Sequence, residues 1–228
     1  MINISESIKT ELLKHEAFDL IETMLGEEYP QSFNMEEFKT LKSFNARIKY
    51  CQEHLKRISS GSSRIVYMID DEKVLKLAKN NKGIAQNEVE YDYAEHLSND
   101  PVLAKVFDAD TDNNTWIEME LARKLNEAKF KQITGHDWKY FAQEVINVYR
   151  ETQRQKQLYR VPEDAKMTLW EDETFSYQIF NLIEMYPEFK GGDLAKINSY
   201  GIVKRGGADR IVLIDFGLTN NVWDSYYS

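Results

Sequence analysis

The sequence predicts an α+β fold: a helical N-terminal extension, then a five-stranded antiparallel sheet carrying one helix, then a shortened and mainly helical second part. Three observations predict it. Apolar residues recur at three- and four-residue spacing from Ser5 to about Ile58, switch to short β-rich runs between Arg57 and Ala122, and return to helical spacing beyond. Polar turn segments, "SSGSS", "DDE" and "DTDNN", separate the short runs. The order that results is strand, loop, strand, strand, helix, strand, strand.

Element by element, Ile8, Leu12, Leu13, Phe18, Ile21, Met24 and Leu25 form one helical face, and Phe38, Leu41, Phe44 and Ile48 a second. Pro30, in "GEEYPQS", stops the first. Strands are expected before "SSGSS", at Ile65 to Ile69 and at Lys73 to Ala78. "KGIAQNEVEYDYAEHLS" reads as a helix and "AKVFDADTDNNTWIEMELA" as a hairpin. Beyond Ala122, "DWKYFAQEVINVYRETQRQ" and "EDETFSYQIFNLIEMYPEF" are amphipathic helices joined by "YRVPEDAKM". "YGIVKRGGADRIVLIDFG" reads as a two-stranded hairpin turning at Gly206-Gly207. The expected divisions are 1–56 for the extension, 57–122 for the sheet and 123–228 for the helical part.

Composition narrows the function. A hydrophobic content of 42% supports a packed core, and 29 basic against 38 acidic residues give a formal net charge of −9. Such a chain repels phosphate backbones and anionic lipid as a whole, so neither nucleic acid nor membrane is the expected partner. One cysteine, Cys51, excludes an intrachain disulfide and a multi-cysteine metal site. No apolar run has the length of a signal peptide or a membrane span, and the expected location is cytoplasmic.

The residues able to carry chemistry follow one another in a set order. Strand alternation places Val74, Lys76 and Ala78 on one face, an ammonium beside small apolar groups. On the next helix Glu90 shares a face with Tyr93, Ala94 and Leu97, whereas Glu88 has Asp92 four residues on and faces water. A buried acid needs a partner, and Lys76 is the natural one. Asp193 and Asn198 stand five apart in "GGDLAKIN", and Asp215-Phe216-Gly217 ends a strand.

Lys76, Glu90, Asp193, Asn198 and the Asp-Phe-Gly triplet, in this order, resemble the protein-kinase-like fold over roughly Arg57 to Leu218. "GGDLAKIN" resembles the kinase catalytic loop, with Gly191-Gly192 where that loop has His-Arg. The compact layout also resembles the small kinase-like proteins of tailed bacteriophages. The resemblance implies ATP and magnesium as cofactors. Lys76 would contact phosphates and pair with Glu90, Asp193 would orient an acceptor hydroxyl, and Asn198 and Asp215 would hold magnesium. Gly61, Ser62 and Arg64 would cover the phosphates, although "SSGSSR" keeps only the middle glycine of the kinase loop. Val66, Val74, Met119 and Tyr200 would sandwich the adenine, with the backbone from Glu120 to Ala122 along its edge.

"LTNNVWDSYYS" leaves no room for an activation segment, so a conventional peptide kinase is not expected. Trp223, Tyr226 and Tyr227 are expected either to pack into the core, the favoured use, or to form part of an interface. Three readings fit: an ATP- and magnesium-dependent phosphotransferase, a pseudokinase or binding module, or a mixed α/β structural protein with no nucleotide site. Adenylate transfer from a reversed nucleotide is a variant of the first. The helical extension is a candidate surface for a protein partner.

Overall fold

The computed structural model describes residues 29–97, 100–155 and 174–227. The helix expected between Ile8 and Leu25 and the connection "YRVPEDAKM" lie outside the described residues. Contacts divide the chain into two compact units, Met1–Lys56 and Arg57–Ser228.

In the first unit the pattern expected as one helix through Phe38, Leu41, Phe44 and Ile48 is two, α1 Met35–Thr40 and α2 Phe44–His54. The break is chemical. Asn34 Oδ1 accepts from the Glu37 N–H, and Ser43 Oγ accepts from the Ala46 N–H, so each helix starts on its own polar cap. Phe33, Phe38, Tyr50 and Cys51 form its buried cluster, and burial pushes the Cys51 thiol up to about 12.

The second unit is α+β, with the five-stranded sheet expected. Its strands are β1 Lys56–Ser60, β2 Arg64–Met68, β3 Lys73–Ala78, β4 Val106–Ala109 and β5 Trp116–Glu120, in the spatial order β1-β2-β3-β5-β4. β3 is the central strand and is buried from Val74 to Ala78. Antiparallel register sets Lys76 opposite Val66 on β2 and Ile117 on β5, and Val74 opposite Met68 and Met119. Arg64, Val66, Val74 and Lys76 therefore share one sheet face.

Helix α3, Asn81–His96, packs against this sheet and is capped by Asn80. Its buried residues are Gly83, Gln86, Asn87 and Glu90, so the inward face is polar. Tyr93 and Leu97, whose spacing marked Glu90 in the sequence, are only partly buried. Glu88 is exposed.

The remainder holds α4 Glu127–Thr134, α5 Trp138–Gln155, α6 Phe175–Met185, the short α7 Gly191–Leu194 and α8 Asn220–Tyr226. The hairpin expected here is a three-stranded sheet: β6 Arg123–Lys124 pairs with β7 Tyr200–Arg205, which pairs with β8 Ala208–Leu213. A two-residue strand is too short to leave a periodic signal. Phe130, Trp138, Phe141, Phe180 and Tyr200 dominate the core between these helices and β7. Leu103 bridges Leu213 in parallel, and Arg205 donates to the carbonyls of Pro101 and Leu103 and pairs with Glu120, which ties the two sheets together. The second unit is thus a mixed α+β chain with the five-stranded antiparallel sheet that the sequence led us to expect.

One expectation fails at the end of the chain. Trp223 and Tyr226 are exposed, and the buried residue of α8 is Val222. Trp223 instead stacks on Tyr227, with ring centroids 5.4 Å apart. The Lys190 ammonium lies over Trp223 and the Lys82 ammonium over Tyr227.

Candidate active site in the cleft between the sheets

Lys76 and Glu90 meet. The Lys76 ammonium donates to Glu90 Oε2 at 2.8 Å, and Glu90 is fully buried. β3 supplies the lysine from the sheet centre, and the third turn of α3 supplies the acid. Glu90 does more than pair with lysine. Its Oε1 accepts the N–H groups of Phe216 and Gly217, each at 3.2 Å, so one carboxylate fixes β3, α3 and the Asp-Phe-Gly turn together. That turn lies tight on the helix: a Cβ on Gly217 would stand 2.5 Å from the Gln86 carbonyl oxygen, so glycine is required there.

The structure adds a second cation that sequence reasoning had assigned elsewhere. Arg64 was expected to reach phosphates from the loop. Its side chain is instead buried, with Nη1 2.7 Å from Glu90 Oε2 and Nη2 2.9 Å from Glu90 Oε1. Nη2 also lies 2.7 Å from Asp215 Oδ1, and Nη1 donates to Asn87 Oδ1 at 3.3 Å. Burial of Glu90 opposes its ionisation, but Arg64 and Lys76 outweigh burial and hold its carboxyl below the usual range. Burial works the other way on Lys76: it lowers the ammonium's pKa, Arg64 adds to this, and Glu90 offsets only part. For Arg64, burial is overcome by Glu90 and Asp215, and the pKa is raised.

Asp193 and Asn198 line the same cleft as Lys76 and Asp215. Asp193 lies on α7 and forms an ion pair with Lys196, a partner whose three-residue spacing was visible in "DLAK" but was not used. Gly191 allows close packing at the start of α7, since a Cβ there would overlap the Tyr149 ring at 2.3 Å. Asn198 is exposed in a 3-10 turn, Ile197–Ser199. The carbonyl of the next residue, Ser199, accepts the N–H groups of Ile214 and Asp215, which brings the segment that carries Asp193 and Asn198 against the Asp215 segment.

Val66, Val74, Met119, Ala122 and Tyr200 line the apolar end of the cleft, whose volume is about 780 Å³. That lies within the roughly 300–1,000 Å³ of small-molecule sites. Tyr200 is almost wholly buried, its hydroxyl donates to the Leu194 carbonyl at 2.7 Å, and burial raises its pKa. It is therefore a floor under the cleft and an anchor for α7. At the edge, the Glu120 N–H bonds the Lys105 carbonyl and the Leu121 N–H bonds the Glu72 carbonyl. Two of the three donors expected to meet a ring edge are thus already engaged.

Gly61 and Ser62 also line the cleft, but the loop is built differently from a glycine-rich cradle. The Gly61 N–H donates to the Arg64 carbonyl at 2.9 Å, closing the turn on itself. Lys79 binds the Gly61 carbonyl and Asn80 the Ser62 carbonyl. Trp223 and Tyr227 also line the cleft, a contribution the sequence did not suggest.

The residues expected to hold a divalent cation, Asp215 and Asn198, both line the cleft and both offer hard oxygen atoms. Among the described residues no group of three or more His, Cys, Asp or Glu side chains gathers to hold a metal. Two such ligands suit magnesium only where phosphate oxygens complete the shell, which fits a cation arriving on a nucleotide.

No family model and no curated protein matches the chain. Among solved structures it is similar to SAICAR synthase from Saccharomyces cerevisiae complexed with SAICAR, at 14% identity over 73% of this chain and 74% of that one, with a TM-score of 0.35. A second SAICAR synthase structure aligns at 13% identity over 73% and 74%, with a TM-score of 0.36. The ternary complex of streptomycin, ATP and APH(2″)-IIa aligns at 15% identity over 54% of this chain and 43% of that one, with a TM-score of 0.30. At such scores the likeness carries no inference about chemistry, which has to come from the chain's own residues.

Proposed function

We propose that the chain is an ATP-dependent phosphotransferase of the protein-kinase-like type, working in the cleft between its sheet-rich half, 57–122, and its helical half, 123–228. The carrying observation is the buried Lys76–Glu90 pair opening on the cleft that Asp193, Asn198 and Asp215 also line.

In this reading the apolar end takes adenine, with Val66 and Val74 above and Tyr200 below. Lys76, held by Glu90, presents its ammonium to the phosphates. Asp215 and Asn198 would hold magnesium, which would supply charge neutralisation on the phosphate oxygens. Asp193 orients an acceptor hydroxyl. The acceptor oxygen forms a bond to the γ-phosphorus, the bond to the β–γ bridging oxygen breaks, and the hydroxyl proton passes to Asp193. Placement and charge account for such catalysis. Lys196 must release Asp193 for this, or move with the acceptor.

A non-catalytic nucleotide sensor is the second reading. What favours it is that both acids are engaged by basic side chains, Asp193 by Lys196 and Asp215 by Arg64, while the loop closes its own glycine N–H. Thermal unfolding with ATP, with and without magnesium, tests both, because a ligand at a hundred times its Kd adds about 2.7 kcal/mol to native stability. A magnesium-dependent rise in Tm that Asp215→Ala abolishes is expected; no rise in any condition would sink both readings. Label transfer from γ-labelled ATP then marks the enzyme, transfer from α-labelled ATP marks adenylation, and neither marks the sensor.

A further inference from the structure

The buried guanidinium of Arg64 has no role in the mechanism above, yet it touches the residue assigned to the metal. We infer that Arg64 makes this cleft refuse a bare divalent cation and accept one only together with the phosphates of a nucleotide. The inference rests on the proposed nucleotide site and concerns how that site is charged.

Arg64 is fixed. Its side chain is 8% exposed, and its planar fork is held by both Glu90 oxygens and by Asn87 as well as by Asp215. It cannot leave Asp215 by a simple rotamer change without also giving up Glu90. Asp215 is the exposed partner, with its side chain 57% exposed and Oδ1 taken by the arginine. A cation on this carboxylate at about 2.1 Å therefore sits within a few ångströms of a permanent positive charge.

Charge counting gives the consequence. The floor carries Arg64 and Lys76 against Glu90 and Asp215, two positive and two negative charges, and the other acids lining the cleft, Asp193 and Glu120, are paired with Lys196 and Arg205. No net negative charge is left to draw a hydrated cation out of water, and like charges this close repel strongly. A triphosphate changes the balance, bringing several negative charges and the missing oxygen ligands at once. Cation and nucleotide then bind with strong positive coupling. Lys76 is not in contact with Asp215; the positive charge that touches this carboxylate is the arginine's.

Manganese tests this on the full chain, with bound and free Mn²⁺ read by electron paramagnetic resonance and melting temperature read in parallel. For the wild type we expect no detectable binding of Mn²⁺ alone at millimolar concentration, and binding once a non-hydrolysable ATP analogue is present. Arg64→Met, which removes the charge, should tighten binding of Mn²⁺ alone at least tenfold, and Asp215→Asn in that background should abolish the gain. Arg64→Lys, which keeps a charge, should behave as the wild type toward Mn²⁺ alone. Wild-type binding of Mn²⁺ alone as tight as with the analogue would overturn the inference and leave the nucleotide site standing, and this arm decides even if Arg64→Met fails to fold. An unchanged affinity in a folded Arg64→Met would overturn it too. Failure of the wild type to bind Mn²⁺ even with the analogue would overturn the nucleotide reading beneath it.

Discussion

The loop from Ser59 to Ser63 and the floor beneath it line one cleft and are built on opposite terms. The loop is mostly exposed, closes through its own backbone and borrows two carbonyl contacts from Lys79 and Asn80. Gly61 has no positive φ, and a Cβ placed on it would meet nothing closer than 3.9 Å. The floor is the reverse: Glu90 is fully buried and receives Arg64, Lys76 and two backbone N–H groups, and Gly217 has no room for a side chain. Organisation in this cleft lies in the charge cluster below rather than in the loop above. Substitutions in the two regions should therefore differ widely in effect.

The largest effect is expected from Glu90→Leu. It leaves Lys76 and Arg64 buried together without their shared anion, and breaking a buried pair in this way costs roughly 3–5 kcal/mol. Equilibrium urea unfolding measures it; a loss under about 1 kcal/mol would mean that the cluster does not organise the floor. Gly217→Ala comes next, at about 1–3 kcal/mol, because the new methyl meets backbone rather than a movable side-chain end.

The same cluster sets a pH dependence of known sign. Glu90 has a folded pKa below its ordinary value of 4.5, so its contribution is complete above that value and is lost as pH falls through the folded pKa. Lys76 has a folded pKa below its ordinary 10.5. Between the two values the unfolded chain binds more protons, so this group makes stability rise with pH across that alkaline window. Lys76→Met should flatten the alkaline rise and keep the acid loss, which Arg64 still supports at Glu90. Stability measured by chemical unfolding at several pH values distinguishes the two limbs, and an alkaline slope unchanged in Lys76→Met would contradict the assignment.

How much of this was readable in the sequence follows from the range of each interaction. β3 was found with its bounds because alternation and turn residues are local. Helix α4 was missed although Asn126 caps its start and Gly135, at φ 80°, ends it: both signals were present, but the intervening apolar spacing is weak. Glu90 was chosen over Glu88 on an apolar face that turned out only partly buried, while the face that does turn inward is polar. Arg64 was misread for a deeper reason. Its partners lie 23, 26 and 151 residues away, and no periodicity in "SSGSSR" can report counter-ions at that distance. Trp223 was misjudged similarly, since hydrophobicity predicted burial and the fold offered cation–π contacts at the cleft wall.

The smallest effect is the one that isolates the loop. Gly61→Ala should change stability by no more than about 0.5 kcal/mol, because φ is ordinary, the space is open and the Gly61 N–H to Arg64 carbonyl bond survives the substitution. The informative measurement is the Tm rise produced by magnesium and ATP. In a cleft organised from its floor, that rise should match the wild type within error, whereas a phosphate cradle made by the Gly61 backbone would be disturbed by the added methyl and lose much of it. Equal rises, set beside a lost rise in a folded Asp215→Ala, would assign nucleotide binding to the lower half of the cleft. A rise lost in Gly61→Ala would return the loop to the role that its sequence first suggested.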